Sequence, residues 1–245
     1  MRSSNPVLSR KIFENTLVSG GSGVMSINGT INKIGLMLLL AIASAAYTWS
    51  MITVNPGRAS VFAIIGVIGG LIMALITTFS PKSSPFTAPV YAILEGLFLG
   101  AVSSLINTAY PGVAFQAVVL TIGTLFTMLF LYRSGRLRAT PKFRRGVMMA
   151  TGAIFFSYLI SWILSMFGVG IGFMHSAGPL GIVINLVVIV VAALNLIMDF
   201  DFIEQGAMAG APKYMEWYGA FGLMVTLIWL YIEFLRLLSR FSSRN

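Results

Sequence analysis

Three carboxylates lie within or at the edge of long apolar stretches of this sequence: Glu95, Asp199 and Glu233. A charged side chain inside a bilayer is costly, so it is by default a functional candidate that faces a partner or water. Asn195 precedes Asp199 by one helical turn and Thr226 precedes Glu233 by two, so each pair shares a helix face. We therefore expect these side chains to meet around a hydrated cavity that handles ions.

Carboxylate, amide and hydroxyl oxygens suit hard cations and protons. We expect Asp199 and Glu95 to bind calcium weakly and in passing, because tight binding would stop conduction. Two carboxylates held close together share a proton, which makes the charge of a cavity depend on pH. Glu233 has an alternative role in an ion pair with Arg236, one turn later. Asp201 points away from Asp199 if the helix continues, and we interpret it as a solvated or helix-end residue.

Other chemistries are poorly supported by the composition. The chain has no cysteine, and His175 is its only histidine, which argues against Cys-based metal sites, multi-His sites and a catalytic triad. The glycines Gly168, Gly170 and Gly172 lack the flanking strand and helix of a nucleotide-binding fingerprint. We predict that the protein is not an enzyme and carries no cofactor, with calcium only as a permeant ion.

The apolar content predicts a membrane protein. Hydrophobic residues make up 57% of the chain and charged residues 9%, which lies outside the normal range of soluble domains. A helix needs roughly twenty apolar residues to cross a bilayer. Seven segments meet this requirement: about 31–53, 59–80, 86–108, 113–132, 146–167, 179–200 and 216–238.

These segments predict an all-α, polytopic membrane protein whose single seven-helix transmembrane domain spans 31–240. Residues 1–30 are polar and rich in glycine and serine, and we interpret them as a cytoplasmic tail. Residues 241–245 form a short C-terminal tail. Glycines spaced by four residues, such as Gly96 and Gly100, predict close helix packing.

The placement of lysine and arginine predicts the orientation. With the amino terminus inside, the inner segments hold most of the cations, including six between 133 and 145, whereas the outer side holds Arg58 and three C-terminal arginines. Short loops rich in these residues stay in the cytoplasm. We therefore predict a cytoplasmic amino terminus and an attraction to anionic lipid. Nucleic acid is not an expected partner, because the cations lie between apolar segments instead of on one exposed face.

Four short motifs accompany the seven spans: PFTAPVY at 85–91, EGLFLG at 95–100, MDFDFIEQG at 198–206 and LYIEFLR at 230–236. Together with the opening residues 1–10, they resemble the transmembrane Bax inhibitor motif family in its bacterial form. The resemblance implies six helices around a central seventh. It also implies a calcium leak channel that responds to pH, located in the cell membrane, here a bacterial inner membrane.

In that family an aspartate that ends the sixth helix pairs with one in the seventh, and Asp199 matches the first position. An ungapped match of the seventh helix places Thr226 or Leu227 at the second position. A match of the LYIE motif to the family's Leu-Tyr-Leu-Asp places Glu233 there instead. Three other acids are available as partners for Asp199: Asp201, Glu204 and Glu216.

The sequence therefore favours a pH-sensitive calcium or cation leak channel that is gated by protonation of intramembrane carboxylates, with the lipid bilayer and calcium ions as its partners. One alternative is a proton-coupled transporter, for which such acids are equally suitable, although we find no convincing inverted repeat. A second alternative is a regulatory membrane protein that acts through membrane-protein partners.

Overall fold

A computed structural model describes residues 23–168 and 178–243 of the chain. These residues contain seven helices that are long and apolar enough to cross a membrane, which confirms the predicted all-α, seven-span fold. His175, Gly170 and Gly172 lie outside the described residues. The helices are α1 Ile27–Val54, α2 Pro56–Phe79, α3 Ser84–Ala109, α4 Val113–Arg133, α5 Pro141–Met166, α6 Pro179–Met208 and α7 Met215–Ser242, with a short 3-10 turn Pro81–Ser83 before α3.

Local capping explains where several helices begin. The Ser26 hydroxyl accepts a hydrogen bond from the Gly29 amide at the start of α1. The side chain of Asn55 accepts one from the Arg58 amide at the start of α2, and Thr140 caps α5 in the same way. Such caps satisfy amides that have no partner within the helix. Asn55 alone joins α1 to α2, so these two helices are antiparallel neighbours.

The helices extend past the predicted spans wherever polar residues continue them. The expectation that Asp199 ends the sixth helix is wrong, because α6 continues for nine more residues to Met208. Similarly, α1 begins at Ile27, inside the segment interpreted as a tail, and α5 begins at Pro141. Counting apolar residues finds the part of a helix that crosses lipid, but it cannot find the polar turns beyond the lipid.

Helix α7 lies at the centre of the bundle. It packs directly on α1, α3, α4 and α6. Tyr158 of α5 reaches it by hydrogen bonds to side chains of α7, and Met73 and Ala74 of α2 pack against a core cluster that includes Ala220 and Met224 of α7. The central seventh helix agrees with what the resemblance implied: four of the other six helices pack directly on α7, and α2 and α5 reach it through side chains.

Glycines allow α1 and α3 to approach each other closely. A Cβ atom on Gly96 would lie 2.3 Å from the carbonyl oxygen of Ala41, and one on Gly100 would lie 2.2 Å from that of Ala45. Backbone therefore packs directly on backbone, as small residues permit in membrane helices. This contact places α3, with Glu95 on it, firmly against α1.

We predict that Gly100→Ala destabilises the protein by about 1–3 kcal/mol, because the added methyl group meets a backbone carbonyl that cannot turn aside. The measurement is the thermal midpoint of the purified protein in detergent. Gly123→Ala on α4 is the matched control, since a Cβ there has nothing within 4 Å. A Gly100→Ala midpoint equal to that of Gly123→Ala would contradict the close packing.

Candidate functional site

Asp199 lies where α6 meets α7. Its Oδ1 is 3.8 Å from the position that a Cβ on Gly222 would take. Thr226 lies one turn further along the same face of α7, where its hydroxyl donates to the Gly222 carbonyl at 3.3 Å. The Oδ2 of Asp199 is buried and has no hydrogen-bond partner among the described residues. One turn earlier, the amide of Asn195 donates to the Thr151 hydroxyl of α5 at 2.8 Å. The Asp199 carboxylate therefore keeps an oxygen that no donor in the described part of the chain satisfies.

Glu233 lies in a different cluster of α7, in which both of its carboxylate oxygens have donors. Its side chain is 2% exposed and is 3.0 Å from Nη1 of Arg236. Tyr158 donates to it at 3.2 Å and the amide of Asn185 at 2.8 Å. The pairing with Arg236 that the sequence offered as an alternative is thus present. Because its charge is matched by a guanidinium, Glu233 is poorly suited to attract a permeant cation.

Glu95 faces α2 from the middle of α3. Its Oε1 is 2.8 Å from the position that a Cβ on Gly70 would take, so the glycine provides the room for this carboxylate. Within residues 23–168 and 178–243 it has no hydrogen bond or ion pair. Glu95 borders α2, Asp199 borders α7 and Glu233 contacts α5 and α6, and no hydrogen bond joins any two of these acids among the described residues.

Two further acids of α6 are held by groups at the end of the bundle that carries the α4–α5 loop. Asp201 forms an ion pair with Arg144, and Glu204 accepts a hydrogen bond from the Tyr132 hydroxyl. Asp201 points away from Asp199, as expected for neighbours two positions apart on a continuous helix. Neither acid is therefore a partner for Asp199.

Glu216 has a structural role that the sequence did not reveal. It is fully buried and accepts hydrogen bonds from the amide and the hydroxyl of Ser26, both at 2.9 Å. It also pairs with Lys33 and, at 3.3 Å, with Lys213. A Cβ on Gly29 would lie 2.2 Å from its Oε1, so only glycine fits there. The cluster joins the first turns of α1 and α7. In the sequence, the one residue that indicates this cluster is Lys33. It is a cation near the start of a membrane span, where a cation needs a counter-charge.

Comparison with known families agrees with the fold. A family model described as Bax inhibitor 1 like matches residues 5–243, nearly the whole chain. The chain belongs to this family. Searches among curated proteins and among solved structures gave no match. Together with the seven helices, the family establishes a multi-pass membrane protein and confirms the resemblance carried by the four motifs.

The geometry distinguishes the two ways of aligning the seventh helix with the Bax inhibitor family. Thr226 and Gly222 are the α7 residues that face Asp199. Glu233 lies two turns further along the helix, about 10 Å away along the axis, in the cluster with Arg236. The ungapped alignment is therefore the one that agrees with the structure. In this Bax inhibitor 1 like protein a hydroxyl stands opposite the α6 aspartate.

We predict that Glu233→Gln lowers the stability of the protein by about 1–3 kcal/mol, because it removes the charge of a buried carboxylate that holds hydrogen bonds from Arg236, Tyr158 and Asn185. Thermal unfolding in detergent provides the measurement, with the exposed Glu204→Gln as control. The double variant Glu233→Gln/Arg236→Gln should recover part of the loss, since it removes both charges. Equal midpoints for Glu233→Gln and Glu204→Gln would show that the ion pair does not contribute.

Proposed function

We propose that this Bax inhibitor 1 like protein is a pH-sensitive calcium leak channel in which Asp199 is the titrating carboxylate. The observation that carries the proposal is the buried Oδ2 of Asp199, which has no hydrogen-bond partner among the described residues. Such an oxygen in a membrane-spanning helix is available to a cation, a proton or water. Its place on α6 is also where the family resemblance puts the first gating aspartate.

The partners of the other acids support this choice. Arg236 neutralises Glu233 and Arg144 neutralises Asp201. A calcium ion at either carboxylate would therefore compete with an arginine of the protein itself. Asp199 and Glu95 have no cationic partner in the described part of the chain. Calcium takes six or more oxygen ligands. A single carboxylate with water therefore gives the weak, passing occupancy that conduction needs.

Protonation gives the proposed gate its pH response. An ionised Asp199 carries a full charge into the α6–α7 contact, where the Thr226 hydroxyl can donate to it, whereas a protonated Asp199 is neutral. The two forms differ in hydration and in their contact with α7, so pH biases how closely the helices approach. Because Thr226 is not an acid, the proposed gate depends on protonation of Asp199 alone and not on a proton shared between two carboxylates.

We further propose that the amino terminus faces the cytoplasm, with the chain in a bacterial inner membrane. The Met25 amide donates to the Ala211 carbonyl at 2.7 Å, and Arg144 pairs with Asp201. The amino-terminal segment, the α4–α5 loop and the α6–α7 loop therefore share one end of the bundle. This end carries the cationic cluster within 133–145, which supports a cytoplasmic position.

We predict that Asp199→Asn lowers calcium flux several-fold and removes its change with pH between about 6 and 8, because the amide neither ionises nor attracts calcium strongly. Flux is measured with a calcium dye inside liposomes that contain the purified protein. Asp201→Asn is the matched control, since it removes the same charge two residues away and should keep the pH response. Wild-type flux equal to that of empty liposomes would refute the channel, and strict coupling to a solute gradient would indicate a transporter.

We predict that Thr226→Asp broadens the pH response of calcium flux into two steps, because the new carboxylate faces Asp199 and the pair shares a proton. Thr226→Ser keeps the hydroxyl and should leave a single step. Both variants are compared in the same dye-loaded liposomes over the same pH range. A single unchanged step in Thr226→Asp would mean that residue 226 does not face the titrating group.

A further inference from the structure

A cavity of about 850 Å³ opens between α1 and α4 at the end of the bundle that carries the α4–α5 loop. Both helices pack on α6 and α7, and the cavity occupies the space between them. Because α1 and α4 are membrane-spanning, a molecule in the surrounding bilayer can enter from the side without crossing water. The size is that of a site for a small ligand or part of a lipid.

The walls of the cavity are apolar. Helix α1 contributes Ile27, Ile31 and Ile34, which recur on one helical face, and α4 contributes Leu125 and Leu129. Ile27 is 44% exposed and Ile31 is 55% exposed, so a hydrocarbon chain lying along α1 would cover them. From Leu125 to the end of α4 the wall is about 12 Å long. That length accommodates a substantial part of one acyl chain.

The mouth of the cavity is cationic. Arg133 and Arg138 line it, and neither guanidinium group has a hydrogen bond or an ion pair within the described residues. The two acids in the lining are already engaged, Asp201 by Arg144 and Glu204 by a tyrosine hydroxyl. Arg144 offsets Asp201, so the two guanidinium groups of Arg133 and Arg138 stand against the one carboxylate of Glu204, and the mouth carries a net positive charge that prefers an anion.

The turn after α4 places one of these arginines over the mouth. Gly135 has a positive φ of 71°, a conformation that favours glycine, and the Leu137 amide donates back to the Leu131 carbonyl at 3.2 Å. The chain thus reverses, and Arg138 folds over Gly135, with its Nη2 3.2 Å from where a Cβ would be. Arg133 is the last residue of α4. The backbone of both arginines is therefore held by a helix end and a hydrogen-bonded turn.

We infer that this cavity binds an anionic phospholipid, with its phosphate at Arg133 and Arg138 and one acyl chain along α1 and α4. Basic pockets between transmembrane helices on the cytoplasmic side suit anionic headgroups. A free phosphate would use the arginines alone and leave the apolar wall uncovered, whereas a lipid matches both. The site is separate from Asp199 and does not depend on ion conduction.

The test is lipid binding to the full-length protein, measured by native mass spectrometry from detergent with phosphatidylglycerol and phosphatidylcholine. We expect tighter binding of phosphatidylglycerol. We also expect its affinity to fall about fivefold for each arginine removed in Arg133→Gln/Arg138→Gln. The matched control is Arg136→Gln/Arg145→Gln, which removes two exposed cations of the same region that do not line the cavity. This control should keep wild-type affinity.

A second variant tests the apolar wall independently. Ile31→Trp fills the groove from an exposed position and leaves both arginines in place, so it should also lose phosphatidylglycerol. Retained phosphatidylglycerol binding in Ile31→Trp would show that the apolar wall does not hold the lipid. An equal loss of affinity in the two arginine double variants would show that lipid binding depends only on general surface charge. Either result would contradict the proposed site. Equal affinity for the two lipids would also overturn it.

Discussion

A charged side chain in this bundle must find its partner within the protein, because lipid offers no hydrogen bonds and little screening. The described acids meet this constraint in different ways. Glu216 is enclosed by lysines and amide donors, and Glu233 and Asp201 each meet an arginine. Asp199 has only a hydroxyl close to it. The acids with cationic partners hold helices together, whereas Asp199 and Glu95, which have none among the described residues, are the ones available to ions and protons under the proposed function.

These contacts fix α7 at two levels. Near its first turn, Glu216 ties it to α1, and four to five turns later Glu233 ties it to α5 and α6 through Tyr158 and Asn185. Asp199 faces the stretch between these levels, where Gly222 presents backbone instead of a side chain. Under the proposed function, a change of charge acts on the section of α7 that has no ion pair of its own to hold it.

Much of the architecture follows from patterns that are local in sequence. Seven apolar segments predict seven helices because each must satisfy its own backbone in lipid, and glycine spacing predicts the close contact at Gly96 and Gly100. The polar extension of α6 beyond Asp199 was not predicted, since helix formation outside lipid leaves no hydropathy signal. Periodicity also placed Glu95 on one helix face without giving its neighbour, which in the structure is Gly70 of α2.

The sequence by itself determined the number of spans, their helical nature, the family and the small set of acids able to do chemistry. All of these depend on composition or on spacing within one helix. Only the tertiary structure decided which acid is neutralised and which is not. Lys33 and Glu216 are 183 positions apart, and Asp199 meets Thr226 rather than another acid. Such pairings depend on how the helices pack and rotate about their axes, which no local pattern records.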